Sequence, residues 1–259
     1  MIKERIYSII QTLLIGVFIY AAINIGGIIS NYNEGDKIYY ESQEKYFVSE
    51  QEDGDKSNEN QKYTLDIAQL KKINPDIIAW IYINDTKVSY PLLQCDNNEK
   101  YLKQTYNNIK SDFGSIFVDF RNSSDMSDRN SIIYGHNTKN GSMFGSLKKY
   151  KDVNYFKQHP KIYIVYADKT YEYEIFSVYT TLTSGPAYIN IFTNDDDFKN
   201  FLSAITELSV ITTGIKPTAN DKVITLSTCT SRAQDERFVV HARLANIIQN
   251  ETPVTIDKP

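Results

Sequence analysis

The first hydrophobic block, IYSIIQTLLIGVFIYAAINIGGII from Ile6 to Ile29, contains no charged residue. As a helix rising about 1.5 Å per residue it spans about 36 Å, more than the roughly 30 Å hydrocarbon core of a bilayer. A cleaved signal peptide is the alternative. The block is longer than a usual apolar signal core, however, and no small-x-small cleavage site follows it. Lys3 and Arg5 precede the block, whereas Asn33, Glu34 and Asp36 follow it. Basic residues collect on the cytoplasmic side of a span, so this asymmetry predicts a cytoplasmic tail over 1–5, a membrane anchor over 6–29 and the remainder outside the cell. Past the anchor the pattern turns polar, and SEQEDGDKSNENQ (Ser49–Gln61) offers nothing to a core. Residues 30–62 read as an extracellular stalk, a solvated spacer. Within it, Ile38–Val48 forms either coil or a short helix with tyrosines on one side.

From residue 63 to 250 the pattern is that of a folded domain built from short elements, with a tail over 251–259. Apolar residues at 65, 67, 70 and 73 predict a helix over Leu65–Ile73, begun by Thr64 or Asp66 and ended by Asn74-Pro75. Ile77–Ile83 leads into a strand, and Asn84-Asp85 marks a turn. Val88–Leu93 reads as a short strand in which Pro91 predicts an edge or a bulge, because proline has no N–H for a ladder. Ser115–Phe120 and Ser131–Tyr134 are two more strands, and Ser142–Tyr150 has a helical pattern. Lys161–Ala167 and Tyr171–Thr181 form a pair turning at Asp168-Lys169. Asp195–Leu208 is an amphipathic helix with three acids in its first turn, where the helix dipole favours them. Those acids read as a cap, and no set of residues has metal-ligand spacing. Many short strands with few helices predict a barrel or a sandwich, and periodicity does not choose between them.

The last predicted pair carries the chemistry. Val223–Cys229 and Phe238–Leu244 are strands joined by the polar loop Thr230–Glu236, and an antiparallel hairpin is the simplest geometry. It sets Cys229 opposite Arg237, with Cβ atoms about 5 Å apart. Ser227 shares a face with Cys229, because side chains alternate along a strand. A thiol beside a guanidinium is a nucleophile beside an oxyanion stabiliser. Arg232 is the competing cation, but it lies in the middle of the loop, where a solvated charge is the ordinary role. The thiol also needs a proton partner, since an unperturbed cysteine titrates near about 8.5. The chain has three histidines. In this hairpin register His241 falls opposite Thr225, about 13 Å along the strand from Cys229 and out of reach. His159 lies in KQHPKI, at a turn. His136 follows the strand SIIY and Gly135. A histidine in that position is either structural or catalytic.

Composition narrows the class. The chain of 259 residues, 41% hydrophobic and 13% aromatic, can fill one large domain or two small ones. Its net charge of −4 argues against a nucleic-acid partner, because there is no basic surplus to neutralise phosphates. The two cysteines, Cys95 and Cys229, are too few for a disulfide framework, and a bridge between them would consume the nucleophile. Cys95, in the turn-rich QCDNN, reads as an incidental thiol.

Thr225-Leu226-Ser227-Thr228-Cys229, followed by Arg237 ahead of an apolar strand, resembles the TLxTC…R signature of sortases, the cysteine transpeptidases of Gram-positive cell surfaces. Upstream, YPLLQCDNNEKYL, GSIFVDFRN, IIYGHN and GSMFGSLKKY resemble class B sortases, and the similarity runs from about Ile73 to Ala245 in the family's order. The resemblance implies a mainly β fold, an eight-stranded barrel with N-terminal helices and a long helix between the sixth and seventh strands, where Asp195–Leu208 would lie. It implies catalysis by His136, Cys229 and Arg237, with the Thr230 backbone N–H assisting the oxyanion and Ser227 beside the nucleophile. Asn98, Leu102, Tyr188 and Ile189 would line the substrate groove. The family often has threonine four positions before that tyrosine. Here Ser184 stands there, with Thr183 adjacent, which leaves open which hydroxyl meets substrate. The implied partners are the sorting-signal peptide of a surface protein and an amine of a peptidoglycan precursor, with no cofactor. Two other readings remain: a secreted cysteine peptidase that uses water, and a tethered, non-catalytic binding module.

Overall fold

The computed structural model describes residues 2–49, 62–230, 233–250 and 254–257. Arg232, the charged middle of the expected stalk and parts of the expected C-terminal tail lie outside the described residues. Eight strands close a barrel: β1 (Ile77–Tyr82), β2 (Ser89–Leu93), β3 (Ile116–Val118), β4 (Asn130–Tyr134), β5 (Lys161–Val165), β6 (Lys169–Leu182), β7 (Val223–Cys229) and β8 (Glu236–Gln249). Around the barrel the order is β8-β6-β5-β1-β2-β3-β4-β7, closing on β8. Only β2–β3 and β4–β7 are parallel among the barrel pairs. Four helices accompany the strands among the described residues: α1 (Ile2–Tyr46), α2 (Ile67–Ile73), α3 (Val153–Gln158) and α4 (Asp195–Glu207). The helix α4 lies between the sixth and seventh barrel strands, and its buried Phe198, Phe201, Leu202 and Ile205 pack against Phe176 and Tyr179 of β6. Its first-turn acids are engaged: Asp195 pairs with Arg129 and Asp196 with Lys199, while the Asn194 side chain caps the Asp197 N–H.

Two local expectations are corrected. Ser142–Tyr150 is not a helix. Met143 has φ +49° and Gly141 φ +80°, left-handed values that stop a right-handed helix, and the regular part is a single 3-10 stretch, Leu147–Lys151. Apolar spacing alone mimicked the helical period there. The short α3, capped by the Asp152 carboxylate on the Asn154 N–H (2.8 Å), follows and ends at His159. Of the two alternatives at Pro91 the edge is excluded, since β2 sits between β1 and β3, while the β1–β2 pair has its register shift at Ile77–Ala79, opposite Leu93 and Leu92. The parallel ladder to β3 begins at Leu92, so the missing proline N–H falls just outside it.

The expected spacer over 30–62 is corrected in part. The helix α1 continues through residues 34–46, and Gly35, Tyr39, Ser42 and Tyr46 are buried along one face. That spacing repeats every three to four residues, as one helix stripe requires. The Tyr39 hydroxyl donates to the Gly114 carbonyl (2.6 Å), and Gln43 Nε2 donates to the Ser89 carbonyl (2.7 Å). Asp36 accepts hydrogen bonds from Ser142 Oγ (2.7 Å) and from Asn140. The expected tail is likewise partly structured, since Val254–Asp257 pairs with Lys62–Leu65 in a sheet completed by Phe47–Ser49.

Between the barrel wall and α4, against Phe176 and Phe201, His241 is fully buried with Thr225 Oγ1 2.9 Å from Nδ1 and the Tyr179 hydroxyl 3.1 Å from Nε2. Thr225 gives its proton to Asn130 Oδ1 (2.7 Å), so it accepts from His241 Nδ1–H, and Nε2 accepts from Tyr179. Burial pushes the imidazole down to about 3 from its ordinary value. The unfolded chain therefore binds an extra proton between pH about 3 and about 6.5, and stability declines as pH falls through that window. Thermal unfolding followed from pH about 7.5 to about 4.5 is expected to show this decline, with a flatter dependence in His241→Gln. Equal slopes would remove His241 as its source.

Candidate active site

The strands β4 and β7 run side by side in the same direction, with Tyr134 facing Ser227. One more bond, from the Gly135 N–H to the Ser227 carbonyl (3.1 Å), carries the ladder to the barrel rim. His136 and Cys229 each stand two residues beyond the Tyr134–Ser227 pair, so they emerge at one rim from strands about 4.8 Å apart. On the other side of β7, Arg237 pairs with Cys229 and His241 with Thr225, the register that side-chain alternation predicts. The barrel thus carries imidazole, thiol and guanidinium on three successive strands, β4, β7 and β8.

His136 is half-buried, and its Nε2 lies 2.7 Å from the Leu102 carbonyl oxygen. A carbonyl only accepts, so Nε2 carries a proton and Nδ1 is the nitrogen left for chemistry. Two glycines are packed closely here, Gly114 against the His136 ring and Gly135 against Ile116 and Phe144. A Cβ on Gly114 (φ +62°) would lie 2.8 Å from His136 Cδ2 and 2.7 Å from the Tyr101 carbonyl oxygen. A Cβ on Gly135 would lie 2.4 Å from Ile116 Cδ1 and 2.7 Å from Phe144 Cδ2. Gly135 is thus needed for space, and it is not among the residues with positive φ. After His136 the chain doubles back through an Asn137–Met143 bridge, and the Phe144 N–H donates to the His136 carbonyl (3.0 Å).

Cys229 is exposed at the end of β7, and both cysteines are free thiols. Cys95 Sγ donates to the Asn97 carbonyl (3.2 Å) within its own turn. Arg237 is half-buried, its Nη1 held by the carbonyls of Gln234 (2.7 Å) and Glu236 (3.0 Å). The Thr230 N–H, expected to serve the oxyanion, is instead engaged with the Glu236 carbonyl (3.1 Å), one further rung of the hairpin ladder. Tyr188 closes the group: its hydroxyl lies 2.8 Å from Ser227 Oγ. Burial raises the Tyr188 pKa, the Ser227 hydroxyl and the Arg237 charge oppose the rise, and Cys229 adds to it. All four side chains therefore share one electrostatic neighbourhood.

The other candidate residues divide. Ile189 exposes its side chain while its carbonyl accepts from Asn130 Nδ2 (2.8 Å), which fixes the Pro186–Tyr188 turn against the barrel. Asn98 Oδ1 accepts from the Phe120 N–H (3.0 Å), so this side chain already braces a loop. Leu102 exposes its side chain, and its backbone holds His136. Ser184 is exposed, and the neighbouring Thr183 N–H donates to the Asp235 carbonyl (2.9 Å), tying that loop to the hairpin. His159 Nδ1 meets the Asn84 carbonyl (2.9 Å), a turn role.

Sequence reasoning passed over Gly114, Asp119, Arg121 and Asn130. Asp119 is buried, and Arg121 clamps it through Nε and Nη2 at 2.8 Å each, while the Tyr134 hydroxyl donates to it at 2.8 Å. Burial alone would raise the Asp119 pKa; the Arg121 and Tyr134 hydrogen bonds outweigh it and hold the carboxyl below the usual range. The cluster anchors the end of β4 that delivers His136. Its signal was the DFRN stretch, whose acid and base, two positions apart, sit at the end of an apolar strand.

A sortase domain model matches residues 81–245. The chain is 34% identical over 245 residues to sortase B of Listeria monocytogenes, covering 94% of this chain and 98% of that one. Among solved structures, sortase B from B. anthracis, in complex with AAEK1, superposes with a TM-score of 0.72 at 38% identity, over 84% of this chain and 99% of that one. A Staphylococcus aureus sortase B–substrate complex superposes with a TM-score of 0.65 at 34% identity, over 71% of this chain and 85% of that one. Barrel and relatives agree that the chain belongs to the sortase family, as a class B cysteine transpeptidase.

Proposed function

We propose that this protein is a membrane-anchored transpeptidase that cuts the sorting signal of surface proteins and joins the freed carbonyl to an amine of cell-wall peptide. The observation that carries this reading is the common rim of His136, Cys229 and Arg237. Cys229 passes its thiol proton to His136 Nδ1 and its Sγ attacks the scissile carbonyl, while Arg237 stabilises the oxyanion. A donor of this kind contributes about 3–4 kcal/mol where one has been removed. His136 Nδ1 gives its proton to the departing amine as the C–N bond breaks, which leaves a thioester. An incoming amine then attacks the thioester and loses a proton to His136. A new C–N bond forms, the C–S bond breaks and the thiol is restored.

Asn98 and Leu102 on one side, and Ser184, Tyr188 and Ile189 on the other, form the walls for the signal peptide, with Ser227 at the base and the Thr230 side chain at the edge. The Staphylococcus aureus relative solved as a substrate complex supports a peptide at this rim. The N-terminal apolar stretch Arg5–Gly27, 23 residues of helix, is long enough to cross a membrane and supports anchoring, with the N-terminus in the cytoplasm and the barrel outside. The packing of residues 34–46 on the barrel would then hold the site close to the bilayer.

The test uses the full chain in detergent with a library of pentapeptide sorting signals, with and without triglycine, and identifies products by mass. A peptide–triglycine conjugate is expected from the wild type and none from Cys229→Ala. Hydrolysis alone, at every amine concentration, would favour the peptidase reading. Undiminished turnover by Cys229→Ala would overturn both.

A further inference from the structure

The helix α1 binds both of the segments that hold the catalytic imidazole. One is the loop over 100–115, whose Leu102 carbonyl accepts from His136 Nε2 (2.7 Å). The other is the turn over 137–144, which comes back to His136 through the Phe144 N–H and the His136 carbonyl (3.0 Å).

On the loop side, the Tyr39 hydroxyl donates to the Gly114 carbonyl (2.6 Å) and lies 3.0 Å from Ser115 Oγ. Tyr39 is buried, and burial raises its pKa, so the hydroxyl keeps the proton it donates. Its ring stacks on Phe113, with centroids 5.7 Å apart. Gly35 brings the helix backbone down on that same ring, since a Cβ there would lie 2.5 Å from Phe113 Cγ. The next residue after Phe113 is Gly114, where a Cβ would stand 2.8 Å from His136 Cδ2 and 2.9 Å from the Leu102 carbonyl oxygen. A single residue therefore separates the tyrosine from both the ring and its acceptor.

On the turn side, the Asp36 carboxylate accepts from Ser142 Oγ (2.7 Å) and from Asn140 Nδ2. The following residue, Met143, has φ +49°, bridges to Asn137 and sends its N–H to the Tyr90 hydroxyl (2.8 Å). A left-handed backbone at such a residue persists where its surroundings over-determine it. Asp36 and Tyr90 supply that hold, and the Tyr90 ring meets Tyr39 edge-on with centroids 5.2 Å apart. Both sides thus converge on the stretch of α1 from Gly35 to Tyr39.

We propose that Asp36 and Tyr39 are positioning residues, which clamp loop and turn so that His136 is held in the Nε2–H tautomer with Nδ1 left for the thiol. The partner of one ring nitrogen sets the tautomer at the other, and here that partner is a carbonyl packed against Gly114. Because α1 is unbroken from Ile2 to Tyr46, the element that holds the imidazole also carries the apolar stretch Arg5–Gly27. The catalytic consequence rests on the transpeptidase reading, whereas the tautomer is a property of the protein alone.

The test uses the full chain in detergent, with its histidines labelled at both ring nitrogens and His136 assigned by its loss in His136→Gln. Nuclear magnetic resonance at pH about 8, above the ordinary histidine range, is expected to show His136 as one tautomer in the wild type. Tyr39→Phe, which keeps the ring and removes the hydroxyl, is expected to give mixed tautomers, and Asp36→Ala the same. Both are expected to acylate Cys229 about tenfold more slowly with an unchanged KM for peptide, since a carbonyl or turn left unpaired moves the ring and not the groove. Gln43→Met is the control. It removes another bond between α1 and the barrel, to the Ser89 carbonyl, and is expected to lower Tm while keeping tautomer and acylation rate. A single tautomer in Tyr39→Phe and Asp36→Ala, or mixed tautomers in Gln43→Met as well, overturns the positioning role whatever the turnover. Absence of a thioester in the wild type with the tautomer change intact overturns the transpeptidase reading and leaves the positioning role standing.

Discussion

Gly114→Ala is expected to lower kcat/KM by about 100-fold, the scale of loss that follows a displacement of about 1 Å in a catalytic group. Gly114 has φ +62°, so any side chain costs about 1–2 kcal/mol from backbone strain alone. The added methyl carbon would also stand 2.8 Å from His136 Cδ2 and 2.9 Å from the Leu102 carbonyl oxygen, the acceptor that holds the ring. Backbone cannot yield as a flexible side chain does, so ring and carbonyl must separate, and the proton on Nε2 loses its partner. Gly214→Ala is the control. It has φ +78° and nothing within 4 Å of its added carbon, so it carries the torsional cost without touching the site. Both variants are expected to lose stability in thermal unfolding, Gly114→Ala the more because of its added contacts, with only Gly114→Ala losing catalysis. If both lose activity alike, backbone strain and not the imidazole accounts for the effect.

The hairpin was legible because its information is local. Cys229 and Arg237 sit at the ends of two apolar strands joined by a polar loop, and a period of two residues fixes every pairing between them, including His241 with Thr225. The neighbour of His136 was not legible in this way. β4 meets β7 across roughly ninety residues of chain, and nothing in SIIY points to VITLS as its parallel partner; only the motif resemblance brought the two together. The buried stripe of α1 was half visible, as tyrosines on one side of Ile38–Val48, but the polar residues around them concealed that a barrel would cover it. Over Ser142–Tyr150 the apolar spacing suggested a helix, while Gly141 and Met143 in left-handed backbone required a turn. Thr230 shows a different limit. Its position beside the nucleophile is readable, but the bond from its N–H to Glu236 depends on where the hairpin ladder ends.

The loss expected in His136→Gln is larger still. Protonation of the departing amine is the step a histidine beside a nucleophile contributes, typically 10²–10⁴-fold. Its removal is expected to slow acylation of Cys229 by about 1000-fold at neutral pH. The substituted glutamine could still donate to the Leu102 carbonyl from its amide nitrogen, which would preserve the local fold while removing the exchangeable proton. The pH profile of the residual rate is expected to flatten, because the group that exchanges the proton has been removed. A glutamine variant that keeps the wild-type profile would assign the proton to another group.

The most direct measurement is mass mapping of the peptidyl adduct formed when a sorting-signal peptide is added without amine and the reaction is quenched in acid. A thioester on Cys229 in the wild type, absent from Cys229→Ala and slowed in His136→Gln, is the predicted result. An adduct on Cys95, or a Cys229 adduct forming at the wild-type rate in His136→Gln, would contradict the account.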